Sequence, residues 1–415
     1  MAETVYPCTL GCGIKEKLMN KESSIKKQNT LTRVVCTFVF SLFAFFYLYY
    51  YQADLLTVMQ HVFSKGQTHY NHFIGAVLIT FVLLLIQVGV VNLFRKVKVA
   101  WALTFVPSSL CLATLTNVRT SETDGLLEFG CWVYVLPLAL LLFFLLVWGS
   151  YASGLTQALE EVTRSNVRKL WCNLLVVLGS MLLVCFSGNS DKTYHARIHA
   201  EQCLINNDFN GALRTLKQCT SPDENTTMLT VYALSRKNAL GEKLFEYQLR
   251  GGSAAMMPNG AGVKFEMLPD STFYSYLGGW YLQRMSTMRY LDYQKRHHHM
   301  NRADVDYLLC GYLMDRNLDA FVANIGKYYV VNDSAALPKH YKEALLLYTH
   351  LHSNPRIIYN NNVMNADFQD YQKLENSVAV SQREVVLRDT YGNTYWYYYN
   401  FHSNNDITQA SIRCK

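Results

Sequence analysis

The sequence predicts a mainly α-helical protein, in which a bundle of about five transmembrane helices precedes an extracytoplasmic α-solenoid of paired helices. Three observations predict this fold class. Five long windows between residues 34 and 190 contain no Asp, Glu, Lys or Arg, whereas residues 191–415 are charged throughout. The charged part shows helix, turn and helix patterns. Such pairs stack into a solenoid because a single pair cannot bury its own apolar face.

The five windows are candidate membrane spans, because a helix needs about 20 apolar residues to cross a bilayer. They cover residues 34–53, 73–94, 99–118, 129–152 and 170–188. The clearest is "CWVYVLPLALLLFFLLVWGSY" (131–151), with aromatic residues near both ends, where amphipathic rings lie at the level of the lipid headgroups. The weakest is 99–118, which Pro107, Ser108 and Ser109 interrupt. We still expect it to span, since neighbouring helices can satisfy a kinked backbone.

The first window is expected to remain part of the protein. Its apolar stretch exceeds the roughly 7 to 15 residues of a signal-peptide core, and no small-residue cleavage site follows it. We therefore predict a basic cytoplasmic tail over residues 1–32 and a transmembrane domain over residues 33–190.

The distribution of basic residues predicts the orientation. With the N-terminus in the cytoplasm, the inside segments hold twelve Lys and Arg residues, and the outside loops hold only Lys65 and Arg119. Cytoplasmic loops of membrane proteins carry the excess of positive charge. Five crossings then place residues 191–415 outside the cytoplasm. The net charge of +7 is therefore assigned to membrane topology, and no nucleic-acid partner is predicted.

The polar side chains inside the windows are neutral, which disfavours a pump or an ion-coupled carrier, because these usually hold ionisable groups within the bilayer. We expect helix-to-helix hydrogen bonds from them rather than a transport pathway. They are chiefly Gln87, Asn92, Thr104, Ser108, Ser109 and Asn173.

Residues 194–225, "YHARIHAEQCLINNDFNGALRTLKQCTSPDEN", form the clearest helix pair. One helix is predicted to end near Ile205, and a second to begin at Phe209 after an Asn-Asn-Asp turn. Ala200 and Ala212 occupy the two places where helices of a tetratricopeptide repeat approach most closely, so the pair is similar to such a repeat. It departs from the pattern at Cys203, where an aromatic residue is usual, and in its early proline.

Later segments repeat this pattern more faintly. Helix pairs are predicted over 228–249, 271–294 and 303–329, and one more from 337–351 with 366–378. In the third of these, Ala320 is assigned to the close-contact place. The glycine-rich run 251–262 is interpreted as a loop. The predicted solenoid therefore covers residues 191–380, and residues 381–415 form an aromatic C-terminal cap or tail.

The run "YGNTYWYYYNF" (391–401) is too short to span a bilayer and has no basic flank for an interfacial helix. Its aromatic and β-branched bias favours a short β-hairpin that turns at residues 391–393. Alternation would then point Tyr395, Tyr397 and Tyr399 to one face and Trp396 and Tyr398 to the other. We predict that it covers the last helix pair. A ligand-stacking surface and membrane contact remain alternatives.

The sequence predicts no catalytic, cofactor or metal site. His297, His298 and His299 are consecutive, which is poor spacing for metal ligands on a helix. The run 251–262 lacks the Lys-Ser/Thr that phosphate binding requires. Cys203 and Cys219 fall on facing helices, where they either form a disulfide or remain two buried thiols.

The N-terminal spans, "ALGEKLFEYQLRGGSAAMMP", "LPKHYKEALLLY" and "RDTYGNTYWYYYNF" together resemble a family of uncharacterised multi-pass membrane proteins from Bacteroidota. The resemblance covers mainly residues 170–401. It implies a location in the bacterial inner membrane and a periplasmic solenoid. It implies no activity and no catalytic residue.

Two function classes follow. In the first, the protein is a membrane-anchored interaction module, not an enzyme, whose periplasmic repeat surface binds a peptide, a protein or another cell-envelope partner. In the second, it is a transferase or an accessory subunit in a lipid-linked or surface polysaccharide pathway, with Asp54 after the first span as the candidate acid. Five spans are few for such an enzyme, and Asp54 has no acidic neighbour in the sequence. We therefore expect the first class.

Overall fold

The computed structural model describes residues 30–94, 101–120, 127–153, 166–259, 262–279, 285–297, 300–332 and 336–402. These residues form two compact units. The membrane unit comprises residues 30–120 with 127–190, and the C-terminal unit comprises residues 191–402. Both units are mainly helical. The predicted basic tail lies almost wholly outside the described residues, as do His298 and His299.

The membrane unit contains four helices that are long and apolar enough to cross a bilayer: α1 (Thr30–Tyr51), α3 (His72–Leu93), α5 (Trp132–Ala152) and α6 (Asn166–Ser187). Helix α1 ends in a π-helical turn, Tyr47–Tyr51. The shorter α2 (Ala53–Ser64) follows it directly, and Asn71 caps the amides at the start of α3. Two short antiparallel strands, β1 (Arg119–Thr120) and β2 (Leu127–Glu128), pair before α5. The length and apolar composition of these four helices therefore indicate a membrane protein.

The third predicted span is shorter than the sequence suggested. Residues Trp101–Phe105 form a 3₁₀ turn, and α4 (Val106–Leu115) continues it, so within the described residues the apolar helix covers Trp101–Leu115 and ends before Val118. Pro107 lies in the first turn of α4, where its missing N–H leaves no hydrogen bond unmade. Of the about five spans that the sequence predicts, the described residues show four as long apolar helices and one as a shorter apolar helix.

The short segment runs alongside α6 and in the same direction. Near its start, the Ala102 N–H donates to Asn173 Oδ1 over 2.9 Å, and near its end, the Asn189 N–H donates to the Thr116 carbonyl over 2.7 Å. The 3₁₀ turn rises about 2.0 Å per residue and α4 about 1.5 Å, so together they cover about 25 Å. This is slightly less than the ~30 Å of a hydrocarbon core.

Neutral side chains connect the helices of the membrane unit, as predicted. Gln87 on α3 donates to Thr104 Oγ1 over 3.0 Å, and Ser108 on α4 donates to the Leu83 carbonyl over 2.8 Å. These partners are buried. Ser109 instead bonds within its own helix, to the Phe105 carbonyl, and Asn92 is exposed at the end of α3.

The C-terminal unit contains twelve helices among its described residues, built around one apolar core. A 3₁₀ turn, Leu244–Glu246, directly follows the short helix Leu240–Lys243, and another, Gly252–Met256, precedes the helix Asp270–Tyr276. The helices are α7 (Lys192–Ile205), α8 (Phe209–Lys217), α9 (Glu224–Arg236), α10 (Leu240–Lys243), α11 (Asp270–Tyr276), α12 (Thr287–Arg296), α13 (Arg302–Met314), α14 (Leu318–Tyr328), α15 (Lys339–Leu351), α16 (Asn362–Ser377), α17 (Val380–Tyr391) and α18 (Tyr395–Phe401).

Three helix pairs of this unit share one turn geometry. In α7–α8, α9–α10 and α13–α14, the second residue after the end of the first helix lies in the left-handed region, with φ of 59°, 52° and 56°. The next residue donates its N–H to the carbonyl five positions earlier, which is the Schellman arrangement of a helix C-terminus. The left-handed residues are Asn207, Asn238 and Arg316. The three pairs therefore repeat a local structure although their sequences differ.

The repeated turn tests the small residues assigned to close helix contact. Ala200 and Ala212 are both fully buried in the α7–α8 pair. Ala212 lies five residues after Asn207, and the equivalent position after Arg316 is Phe321. Phe321 is fully buried, whereas Ala320 is only half-buried. The assignment of Ala320 is thus wrong by one residue.

The aromatic tail is helical, so the predicted β-hairpin is wrong. Thr394 caps the amide of Tyr397 and begins α18. The buried side chains are Tyr395, Trp396 and Tyr398, which share a helical face rather than alternate as in a strand. Aromatic residues favour strands only where they fit a pleated surface, and here their burial against α15 decides the backbone.

Candidate functional site

The C-terminal unit has two neighbouring cavities that share Glu242, Leu337 and Lys342 as lining residues. The Asp306 cavity, of about 420 Å³, lies among the α9–α10 turn, α13 and the start of α15. The α18 cavity, of about 320 Å³, lies among the start of α15, α16 and the tail. We define the two cavities together as the α15 groove. It is the candidate functional site.

A buried histidine and a buried carboxylate in the first turns of α15 connect this helix to the neighbouring elements of the groove. His340 Nε2 accepts the Phe245 N–H over 3.3 Å, so Nδ1 carries the proton and donates to Glu343 Oε2 over 2.8 Å. The same Glu343 oxygen accepts the Tyr395 N–H over 2.7 Å. Residues 340 and 343 therefore join the end of α10, α15 and α18 at one point.

A second network lines the Asp306 cavity. Asp306 Oδ1 accepts the hydroxyl of Tyr329 over 2.6 Å and that of Tyr341 over 2.9 Å. Burial raises the pKa of the Tyr341 phenol well above its usual value, and the nearby Cys310 thiol and Asp306 carboxylate contribute to the increase. Both tyrosines therefore remain protonated and act as hydrogen-bond donors at neutral pH.

Aromatic residues of the tail complete the wall of the α18 cavity. The Tyr395 hydroxyl donates to the Leu313 carbonyl over 3.2 Å, and the Tyr398 hydroxyl donates to the Met314 carbonyl over 3.0 Å. These carbonyls belong to the last turn of α13, and the Leu313 carbonyl also accepts the Arg316 N–H over 3.0 Å. Trp396 Nε1 donates to the Glu343 carbonyl over 2.9 Å. The tail thus caps one helix and supports the groove.

The charged groups of the groove fall into two classes. The Glu242, Asp306 and Glu343 carboxylates already accept hydrogen bonds from within the fold. In contrast, within the described ranges, neither the Arg302 guanidinium nor the Lys342 ammonium has a hydrogen bond or an ion pair. Two cations in the Asp306 cavity therefore remain available to a ligand.

Two other carboxylates of the C-terminal unit are buried away from the groove. Glu201 accepts the amides of residues 266, 267 and 268 and so fixes the loop before α11. Burial raises its pKa to about 7, against the effect of these three hydrogen bonds. Burial also raises the pKa of Asp304 to about 7, although the Asn301 N–H donates to it. Both are structural groups, since one fixes a loop and the other caps α13.

The residues singled out in the sequence do not assemble a chemical site. His297 ends α12 and packs on the Tyr293 ring at 4.2 Å. Cys203 and Cys219 are not joined by a disulfide, and Cys219 Sγ lies 3.9 Å from Thr193 Oγ1. Asp54 lies in the first turn of α2, where the helix dipole favours a carboxylate. No metal-binding cluster occurs in the part of the chain that the structure describes.

The glycine-rich run 251–262, interpreted as a loop, begins with the buried turn Gly252–Met256. Ser253 attaches this turn to the end of α13, because its N–H and hydroxyl both donate to the Asp315 carboxylate. Residues 260 and 261 lie outside the described ranges. The run therefore contributes to the core.

Sequence reasoning missed the groove because its lining comes from segments that are distant in the chain, within residues 238–242, 302–306, 336–343 and 364–396 and at Tyr329. One signal was available. The stretch "LPKHYKE" (337–343) places two lysines, a histidine and a glutamate within one and a half turns of a predicted helix. That density of charge on an otherwise apolar helix is typical of a residue cluster with several partners.

Most of the groove lies in a part of the chain that is similar to a known protein family. A search of curated proteins and a search of solved structures each found no match to this chain. Residues 281–402, which include most of the lining of the α15 groove, match a family of unknown function, DUF6057.

Proposed function

We propose that the protein is a membrane-anchored interaction module whose C-terminal unit binds a protein or peptide partner of the cell envelope through the α15 groove. The groove is the observation that supports this function. It is open to solvent at Glu242, Arg302 and Asp367. Its walls come from the α9–α10 turn, α13, the start of α15, α16 and the tail. Such a concave surface suits an extended or helical segment of a partner.

We further propose a tetratricopeptide-like stack for this unit. The repeated turns after α7, α9 and α13 support it, as does the packing of α9 against α13 and of α13 against α14. In a stack of this kind each pair covers the apolar face of its neighbour. Binding surfaces then form along the stack without a catalytic centre.

We propose that this unit lies in the periplasm of a Bacteroidota cell, with the N-terminus in the cytoplasm and the helices in the inner membrane. The bias of twelve basic residues to two supports the orientation. The parallel course of Trp101–Leu115 and α6 supports an odd number of crossings, since both segments begin and end at common levels. The taxon rests on the sequence resemblance alone.

The polysaccharide-pathway alternative has less support. Its candidate acid, Asp54, is accounted for by the start of α2, and the described residues place no other acidic side chain in that helix. A transferase would require a group to activate an acceptor or to stabilise a leaving group. The α15 groove does not supply a free acid beside a base, because its histidine is buried and hydrogen-bonded at both nitrogens.

Photo-crosslinking in cells that naturally produce this chain tests the proposal. A crosslinking amino acid replaces Asp367, an exposed residue that lines the groove on α16. The control replaces Lys373, which lies on the same helix outside the cavity lining. We expect one stoichiometric envelope protein from position 367 and none from 373. Equal labelling at both positions, or capture of a lipid-linked sugar, contradicts the module.

A further inference from the structure

We propose that the Asp306 cavity is a subsite for a carboxylate of the partner, held between Arg302 and Lys342. This inference rests on the proposed function and names the chemistry that the groove recognises. Both cations line one cavity of about 420 Å³. As described above, neither has a hydrogen bond or an ion pair within the described ranges.

The acids in the same cavity are accounted for by the fold itself. Asp306 Oδ1 receives two tyrosine hydroxyls, and Glu242 Oε2 receives the Lys339 N–H over 2.8 Å. Their charge is therefore partly balanced by internal donors. Among the described residues the two cations have no hydrogen-bond acceptor, so an incoming anion completes the set of charge-assisted hydrogen bonds.

The backbone around the cavity also favours an anion. Helix α15 begins at the cavity; its first turn contains no acidic residue of its own, and Glu242 accepts the N–H of its first residue, Lys339. Its thirteen residues align their peptide dipoles so that partial positive charge accumulates at this end. Helix α13 likewise begins beside the cavity, since Arg302 is its first residue. These dipoles add to the attraction of the two side chains.

A carboxylate fits better than a phosphate group. Asp306 and Glu242 balance the charges of Arg302 and Lys342, so the cavity has no excess positive charge to hold a single group that carries two negative charges, whereas one carboxylate carries one. The remaining wall includes Ala336, Leu337 and Pro338, an apolar strip that can contact the aliphatic part of an amino acid. The chemistry therefore indicates an acidic side chain or the C-terminal carboxylate of a peptide.

Arg302 is suited to this role because a planar guanidinium binds a carboxylate through two parallel hydrogen bonds. Lys342 lies on the shared wall, so its ammonium can contact a ligand in either cavity. We expect Arg302 to orient the carboxylate and Lys342 to add charge and to align the peptide that continues into the α18 cavity.

A direct binding measurement tests the subsite without a known partner. Detergent-solubilised full-length protein is melted in glutarate, a small dicarboxylate, against sodium chloride of equal ionic strength. Glutarate is expected to raise the Tm saturably by about 2 to 4 °C, because a ligand stabilises the state that binds it. The variant Arg302→Gln with Lys342→Gln should show no shift. A matched control, Arg356→Gln with Lys373→Gln, removes two exposed cations outside the cavity and should respond like the wild type.

Two further results overturn the carboxylate assignment. One is an equal shift in the wild type and in the Arg302/Lys342 variant. The other is a shift with inorganic phosphate but none with glutarate. The charge-conserving variant Arg302→Lys should retain a weaker, saturable response, which separates lost binding from misfolding.

The crosslinking experiment then separates the two proposals. With the probe at position 367, the Arg302→Gln, Lys342→Gln variant should capture the partner about tenfold less than the matched control, since hydrogen bonds to charged groups contribute at least this factor. Unchanged capture would leave the interaction module standing and remove the subsite. A glutarate shift without any captured protein would do the opposite.

Discussion

At the scale of single residues, the C-terminal unit buries several ionisable side chains, among them Glu201, Asp304 and Glu343. Asp304 is fully buried, and its Oδ1 has no hydrogen-bond partner among the described residues. A carboxylate in this position prefers to be protonated, which is why its pKa rises to about 7. The folded state therefore holds a proton that the unfolded chain releases near the ordinary pKa of 3.8.

This difference predicts a pH dependence with a definite sign. Between about pH 4 and pH 7 the unfolded chain is ionised while folded Asp304 keeps its proton, so the free energy of unfolding falls as the pH rises. Asp304→Asn keeps an oxygen for the Asn301 N–H and removes the charge. We expect a higher Tm than the wild type at pH 8 and a shallower decline between pH 4 and 7, measured on detergent-solubilised full-length protein.

Asp370→Asn is the control for that variant, because Asp370 is exposed and its surface ion pair with Lys373 should contribute little to the Tm. Glu201, whose pKa is also raised to about 7, should account for part of the slope that remains. If Asp304→Asn melts below the wild type at pH 8, the carboxylate is stabilising and the reasoning from burial is wrong.

At the scale of secondary-structure elements, the α7–α8 pair provides the test of close helix packing. Ala212 is fully buried, and overpacking such a position costs about 1 to 3 kcal/mol. Ala212→Phe should therefore lower the Tm of the full-length protein by several degrees. Ala320→Phe is the matched control, because Ala320 is half-buried and should cost less. Equal losses, or none at either position, would argue against the register of the repeated turn.

The tail predicts a second element-scale result. A chain that ends at Thr394 loses α18, and with it three buried aromatic side chains that each contribute about 1.5 to 3 kcal/mol. We expect aggregation or a large loss of Tm, measured by light scattering and thermal unfolding. A chain that ends at residue 402 is the control, because it keeps α18, so that the difference between the two truncations is due to residues 395–402. A stable, monomeric truncation at 394 that only loses partner capture would make α18 a recognition surface.

The elements also show what the sequence could and could not reveal. The end of α7 at Ile205 and the start of α8 at Phe209 were predicted correctly, because capping and turn residues act locally. The tail was assigned to strands because its aromatic bias matches that propensity, yet contacts with α13 and α15 decide its conformation. The α15 groove depends on several such distant contacts. No local pattern encodes them.

At the scale of the whole molecule, the membrane topology depends on how Trp101–Leu115 is counted. Four crossings leave the N-terminus and the C-terminal unit on the same side of the membrane, whereas five crossings place them on opposite sides. The proposed orientation predicts that a reporter active only outside the cytoplasm is active when fused after Ser190. The same reporter fused after Lys98 should be silent. Activity only after Lys98 would invert the orientation, and silence at both sites would reduce the number of crossings.

The hydrogen bonds from α18 to α13 have a consequence for how the protein is made. Tyr395 and Leu313 are 82 residues apart in the chain, and Tyr398 and Met314 are 84 apart. Until residue 401 has been synthesised, the Leu313 and Met314 carbonyls lack these tyrosine donors, and the apolar side chains that pack against α18 stay uncovered. Closing so long a loop has an entropic cost before any contact compensates for it. The final folding step of this unit therefore follows the synthesis of α18, and nascent chains should depend on chaperones throughout that interval.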